Sequence, residues 1–162
     1  MGFSGAFVVA RSARSLTELT SVRVDEVLPE WEAEGAGVGD WRILQTGGPV
    51  DTATGIVAET GAPVLVMHVH DSDFVFAQAW GPGGLSWHST FPREMALDYE
   101  VPEKWITEPD EIAPRAAAWA EGAGLRPDEA AVLAVLEQGS EPLAEDLALD
   151  LTRALGFGFP KG

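Results

Sequence analysis

The chain has 162 residues, with 26 acidic against 10 basic side chains, a formal net charge of −16 and no cysteine. That length suits one domain with a core of its own, and the missing thiols exclude a disulfide framework, thiolate metal ligands and a cysteine nucleophile. The negative field argues against nucleic acid or an anionic membrane as partner and in favour of a basic protein.

The first strand is expected at Ala6–Ala10. No charged leader precedes this short apolar run, so it reads as part of the fold of a cytoplasmic protein rather than as a signal segment. No stretch approaches the roughly 20 apolar residues of a membrane span. Ser15 and Glu18 fit a capping box that opens a helical stretch through Leu16, Leu19 and Val22. Val24, Val27, Leu28 and Trp31 continue the apolar spacing, but Pro29 must kink, restart or end any helix there. Residues 30–39 are acidic, then glycine-rich, and predict an exposed loop; Gly35, Gly37 and Gly39 do not make the dinucleotide-binding pattern. Trp41–Thr46 alternates as a strand should, Gly47-Gly48-Pro49 turns the chain, and Asp51 caps a helix to Thr60 that Gly61 ends. A strand from Val64 completes a crossover unit.

The centre of the chain is Val64–Phe91. Three apolar runs separated by Asp71-Ser72-Asp73 and Gly81-Pro82-Gly83-Gly84 predict an antiparallel meander. It holds all three histidines. Pairing His70 with Phe74 puts His68 opposite Phe76, Val66 opposite Gln78 and Val64 opposite Trp80. Pairing Trp80 with Leu85 then puts Gln78 opposite Trp87 and Phe74 opposite Phe91. One face would carry Val64, Val66, His68, His70, Phe74, Phe76, Gln78, Trp80, Leu85, Trp87 and Phe91, and this bulky face is expected beneath the helices. His88 would point to the other face, unless the second hairpin slips by one residue.

A helical turn or two is expected over residues 92–100, then an irregular stretch to Glu108. Three helices follow. Ile112, Ala116, Trp119, Ala120 and Ala123 make the apolar stripe of the first. The second starts at Pro127 and is apolar nearly all round, which predicts deep burial. The third, capped by Ser140 with Pro142 in its first turn, carries Leu143, Leu147, Leu151 and Leu155 on one stripe. The aromatic tail Phe157-Gly158-Phe159 is expected to fold back onto the core. The whole reads as α+β: a mainly antiparallel sheet of about five strands, with the 51–60 helix and a C-terminal helical layer on one face. Residues 109–155 are the segment most able to form a lobe.

His68 and His70, at i and i+2 on a strand, project from one face and can offer two imidazoles to one metal, with Asp71 or Asp73 as oxygen ligands. The competing reading is a turn whose Asp and Ser serve the turn itself and histidines that pack among aromatics. Trp80 and Trp87 would join them as packing, or as a ligand platform if that face is open. No G-x-S-x-G elbow, H-E-x-x-H or Walker lysine is present, so no catalytic residue and no cofactor are assigned.

The order of an FVVAR strand, Gly39-Asp40-Trp41, a His/Asp hairpin, a Gly-rich turn and alanine-rich acidic helices resembles small proteins of unassigned function from GC-rich actinobacteria. The preponderance of Arg over Lys, eight to two, agrees with such a gene. Fifteen acidic residues against three basic ones lie between Glu94 and Asp150. The leading expectation is therefore an acidic, non-catalytic interaction protein, an immunity-type or regulatory partner of a basic protein. The alternative is a metal- or small-ligand-binding protein, enzyme or not, centred on His68, His70 and Asp71.

Overall fold

The computed structural model describes residues 2–22, 27–32, 40–48, 53–139 and 142–157. Its strands are β1 (Gly5–Arg11), β2 (Val27–Glu32), β3 (Trp41–Thr46), β4 (Val64–His70), β5 (Phe74–Gly81) and β6 (Gly84–Phe91). They form one antiparallel sheet in the spatial order β2-β3-β1-β4-β5-β6. β1 is antiparallel to both β3 and β4, so helix α1 (Ala53–Thr60) takes the chain past β1 from one neighbour to the other. Helices α2 (Arg93–Asp98), α3 (Pro109–Gly122), α4 (Glu129–Leu136) and α5 (Ala144–Leu155) follow the meander. The α+β class and the C-terminal helical layer are as expected; the sheet has one strand more.

That extra strand is β2, where the sequence suggests broken helix and then loop. Arg42 of β3 binds the edge strand down, reaching Glu30 at 3.4 Å and Glu32 at 3.0 Å. An edge is also where a proline such as Pro29 is tolerated, because one side of its backbone needs no ladder partner. The capping box produces only a short 3-10 turn at Leu16–Glu18, with Ser15 Oγ accepting from the Thr17 amide. The expected caps Asp51 and Ser140, most of the glycine-rich loop and Phe159 lie outside the described residues.

The first hairpin has the expected register, His70 to Phe74 through Val64 to Trp80. Asp71 and Ser72 both have positive φ, 49° and 57°, and the Asp73 amide donates to the His70 carbonyl at 2.8 Å. This is the primed turn that matches strand twist. The second hairpin pairs Trp80 with Leu85 as expected, then slips: Ala79 faces Trp87, Gln78 faces His88 and Val75 faces Phe91. Ser86 is the extra residue of a bulge, and one inserted residue reverses every later side chain on the strand. Trp87 and Phe91 thereby cross to the aliphatic face, and His88 joins His68 and His70.

The expected choice of face is also reversed. The C-terminal helices pack on Leu65, Met67, Val69, Val75, Ala77 and Ala79, together with Phe7, Val9, Trp41, Ile43, Trp87 and Phe91. Small size explains the choice. Ala113, Ala116, Ala117 and Ala120 of α3 are all buried, and alanines against shallow strand residues let a helix approach closely, with large rings filling the margins. α1 sits on the opposite face, where Ile56 and Val57 meet Ala6, Val8, Leu44, Val64 and Val66, and Leu16, Leu19 and Val22 extend the cluster.

Within the helical layer α4 is not the most buried: only Val132 and Leu136 are buried in it, because it lies outermost and its other apolar residues are small or peripheral. α5 is the inner helix, with Leu147, Leu151 and Leu155 buried, while Leu143 precedes the helix and is exposed. Phe157 folds back fully buried, its ring edge-on to Trp41 at 5.0 Å and 6.2 Å from Trp119.

Candidate functional site

The face of the meander turned away from the C-terminal helices is only partly covered. α1 shields Val64 and Val66; beyond it the surface is aromatic and imidazole-rich. β4 supplies His68 and His70, β5 supplies Phe74 and Phe76, and a segment after β6 folds over them. Thr90 Oγ1 donates to the Trp105 carbonyl at 2.8 Å, which fixes a 3-10 turn at Glu103–Trp105. The Trp105 ring then stacks on Phe76, centroids 4.7 Å apart and planes 15° from parallel. Tyr99, just after α2, stands edge-on to both His70 and Phe74 at 5.1 and 5.2 Å.

His68, His70, Phe74, Phe76 and Trp105 line a cleft of about 360 Å³, together with Ser4, Gly5, Gly47, Gly48 and Val69. Three of the lining residues, Gly5, Gly47 and Gly48, contribute main chain alone. At Gly48 an added Cβ would meet no described residue within 4 Å. At Gly5 it would meet the Thr46 carbonyl at 2.1 Å, so glycine there is required by the β1–β3 approach.

The acids beside the histidines have other work. Asp71 Oδ1 accepts from the Gly2 amide at 2.8 Å, and Asp73 accepts a short hydrogen bond from the Tyr99 hydroxyl. That bond, then burial and the negative charge of Asp73 and Asp71, push the Tyr99 phenol up to about 12. Ser72 is a junction: its Oγ accepts from the Phe3 amide at 2.7 Å and donates to Glu145 at 3.0 Å.

His68 and His70 are thus the expected site residues that the structure brings together. Asp71 and Asp73 flank the cleft without lining it. Trp80 shares the histidine face but packs against the α1 cluster and borders a second hollow with Thr54 and Val57. Trp87, expected beside Trp80, lies under the helices, 6.2 Å from Trp119, because of the bulge. His88 reaches the correct face but sits opposite Gln78, with Phe76 between it and the other two imidazoles. Among the described residues, no group of three or more His, Asp or Glu is placed to hold a metal ion.

The residues missed were Trp105, Tyr99 and the glycines. Trp105 and Tyr99 follow the meander in a proline-punctuated stretch of low helical character, and aromatic residues in such a segment must find a surface to cover.

No family model, curated protein or solved structure matches the chain. No helix among the described residues is long and apolar enough to cross a membrane.

Proposed function

We propose that the protein is a non-catalytic binding protein whose ligand is a small molecule held in the His68/His70 cleft. The observation that carries this reading is the cleft itself: two imidazoles and the Phe74, Phe76 and Trp105 rings around about 360 Å³ of open space. Such a hollow, mostly apolar with a few polar groups, has the make-up of small-molecule sites. A fragment library titrated into the protein and followed by backbone amide NMR tests it. Shifts centred on Gly48, His68–His70, Phe76 and Trp105 are expected, and a library that moves no amide there refutes it.

A second reading keeps the acidic surface as the working feature, in a cytoplasmic partner of a basic protein. It is supported by a hollow of about 590 Å³ where α2, the start of α3 and the end of α4 meet, bordered by Glu94, Glu108, Asp110 and Glu137. Arg93, the one cation among its described lining residues, is already paired with Glu108 at 2.9 Å. An arginine-rich peptide should shift amides in these three helices at low salt and release them at high salt. Uniform weak shifts over the whole surface would instead indicate charge attraction without a site.

A further inference from the structure

The lining of the His68/His70 cleft is specific enough to define the chemistry of its occupant. Resting on the ligand-binding reading above, we infer that the ligand is an uncharged, flat aromatic or heteroaromatic molecule with hydrogen-bonding groups in its plane.

Shape is the first argument. The lining combines the Phe74 ring and the parallel Phe76–Trp105 pair with Gly5, Gly47 and Gly48, which bring main chain and no side chain. Rings prefer to meet rings in offset-stacked or edge-on contact. The volume of about 360 Å³ is near the lower end for ligand pockets, which limits the occupant to one or two rings.

Charge is the second. Among the described lining residues there is no Lys, Arg, Asp or Glu. A carboxylate or phosphate would enter a field of net charge −16 and pass Asp71 and Asp73 with no lysine or arginine among the described lining residues to receive it. An ammonium would be attracted from afar but would then lose water against apolar walls with no carboxylate among the described lining residues to pair with. An uncharged ligand has neither difficulty.

Hydrogen bonding is the third. The Ser4 hydroxyl that lines the cleft accepts from the Asp71 amide at 2.8 Å and keeps its own proton to donate. A neutral imidazole carries one donor and one acceptor nitrogen in its ring plane. His70, flanked by Phe74 and Tyr99, is exposed at the rim, where such in-plane groups can meet those of a ligand.

Three near-isosteric flat probes separate charge from shape: benzamide, benzoate and benzamidine, with cyclohexanecarboxamide as the uncharged non-planar counterpart. Each is titrated into the full chain at neutral pH, with the amides of Gly48, His70, Phe76 and Trp105 as readout. Benzamide is expected to bind at least about tenfold more tightly than the other three, a factor equivalent to about 1.4 kcal/mol. Gly48→Leu adds a bulky side chain at a lining position that has none and should weaken benzamide by the same factor or more. Gly48 has no positive φ and no described neighbour within 4 Å of an added Cβ, so the variant should fold; Gly48→Ala, with one methyl at the same position, should weaken binding in the same direction if leucine is not tolerated.

Equal or tighter binding of benzoate, benzamidine or the saturated amide overturns the inference and leaves the cleft as a ligand site. So does a benzamide titration that moves none of these amides. The ligand-binding reading falls as well only if the wider fragment library is also silent there.

Discussion

The two tryptophans that meet under the helical layer differ in one atom's circumstances, and that difference is measurable. Trp87 and Trp119 are both buried and stand edge-to-face, 6.2 Å apart at 85°. The Trp119 indole N–H donates to the Trp80 carbonyl at 3.3 Å. The Trp87 Nε1 is buried with no partner among the described residues. Replacing either by phenylalanine removes two carbons and the nitrogen, a loss of roughly 2 kcal/mol of buried apolar contact at about 0.8 kcal/mol per carbon group. For Trp119 the broken hydrogen bond adds about 0.5–1.5 kcal/mol. For Trp87 the substitution removes an unsatisfied donor, a relief of about 1–3 kcal/mol that offsets the lost packing. Trp87→Phe should therefore lie within about 1 kcal/mol of the parent, and Trp119→Phe should cost about 3 kcal/mol. The gap of about 2 kcal/mol or more corresponds to roughly 4–8 °C in Tm for a chain of this size. Urea unfolding followed by far-UV circular dichroism measures both, provided the slope stays constant. If Trp87→Phe destabilises as much as Trp119→Phe, the orphaned N–H is not orphaned and the reasoning fails.

Other outcomes follow from groups on the second face. Tyr99 is the single tyrosine of the chain, so an absorbance titration reports it alone: its midpoint should lie near 12 in the folded protein and fall towards 10 in Asp73→Asn. Because its folded pKa is raised, the stability it contributes is complete below about pH 10, the unfolded value, and is lost as pH rises towards 12. Glu59 behaves oppositely. Hydrogen bonds from the Ser21 hydroxyl and the Ser21 and Thr20 amides hold its carboxyl below the ordinary 4.5, so its contribution is complete above that pH and is lost as pH falls through the folded value. Glu59→Gln should flatten the acid limb of the stability–pH curve, measured by urea midpoints from pH 6 to 3. Arg42→Met removes the partner of two acids on β2 and should cost about 1–3 kcal/mol, with amide exchange in β2 accelerating before that in β1.

Legibility in the sequence tracked how local the determining interaction was. The DSD turn set the first hairpin register because a turn accepting positive φ leaves little choice of pairing. The bulge at Ser86 left no such mark: Trp80-Gly81 and Leu85-Ser86 read equally well with or without an extra residue, yet it decides where Trp87 and His88 point. The preference of the helices for the aliphatic face was hidden for another reason. Hydrophobicity alone favoured the aromatic face, whereas close packing of the α3 alanines favoured the shallow one. Of the site, the two histidines were visible because strand spacing puts them side by side. Trp105 was not, since it arrives from a segment whose placement depends on Thr90, 15 residues earlier.

The peptide unit at Ser72 is reached from both ends of the chain: its amide donates to the Phe3 carbonyl at 2.8 Å and its carbonyl accepts from the Ala144 amide at 2.9 Å. One hairpin tip thus serves as a keystone between the segment just before β1 and the start of α5. Releasing it would loosen two distant stretches at once, so protons at Ser72 and Ala144 should exchange with deuterium on a shared timescale, as parts of a single opening event.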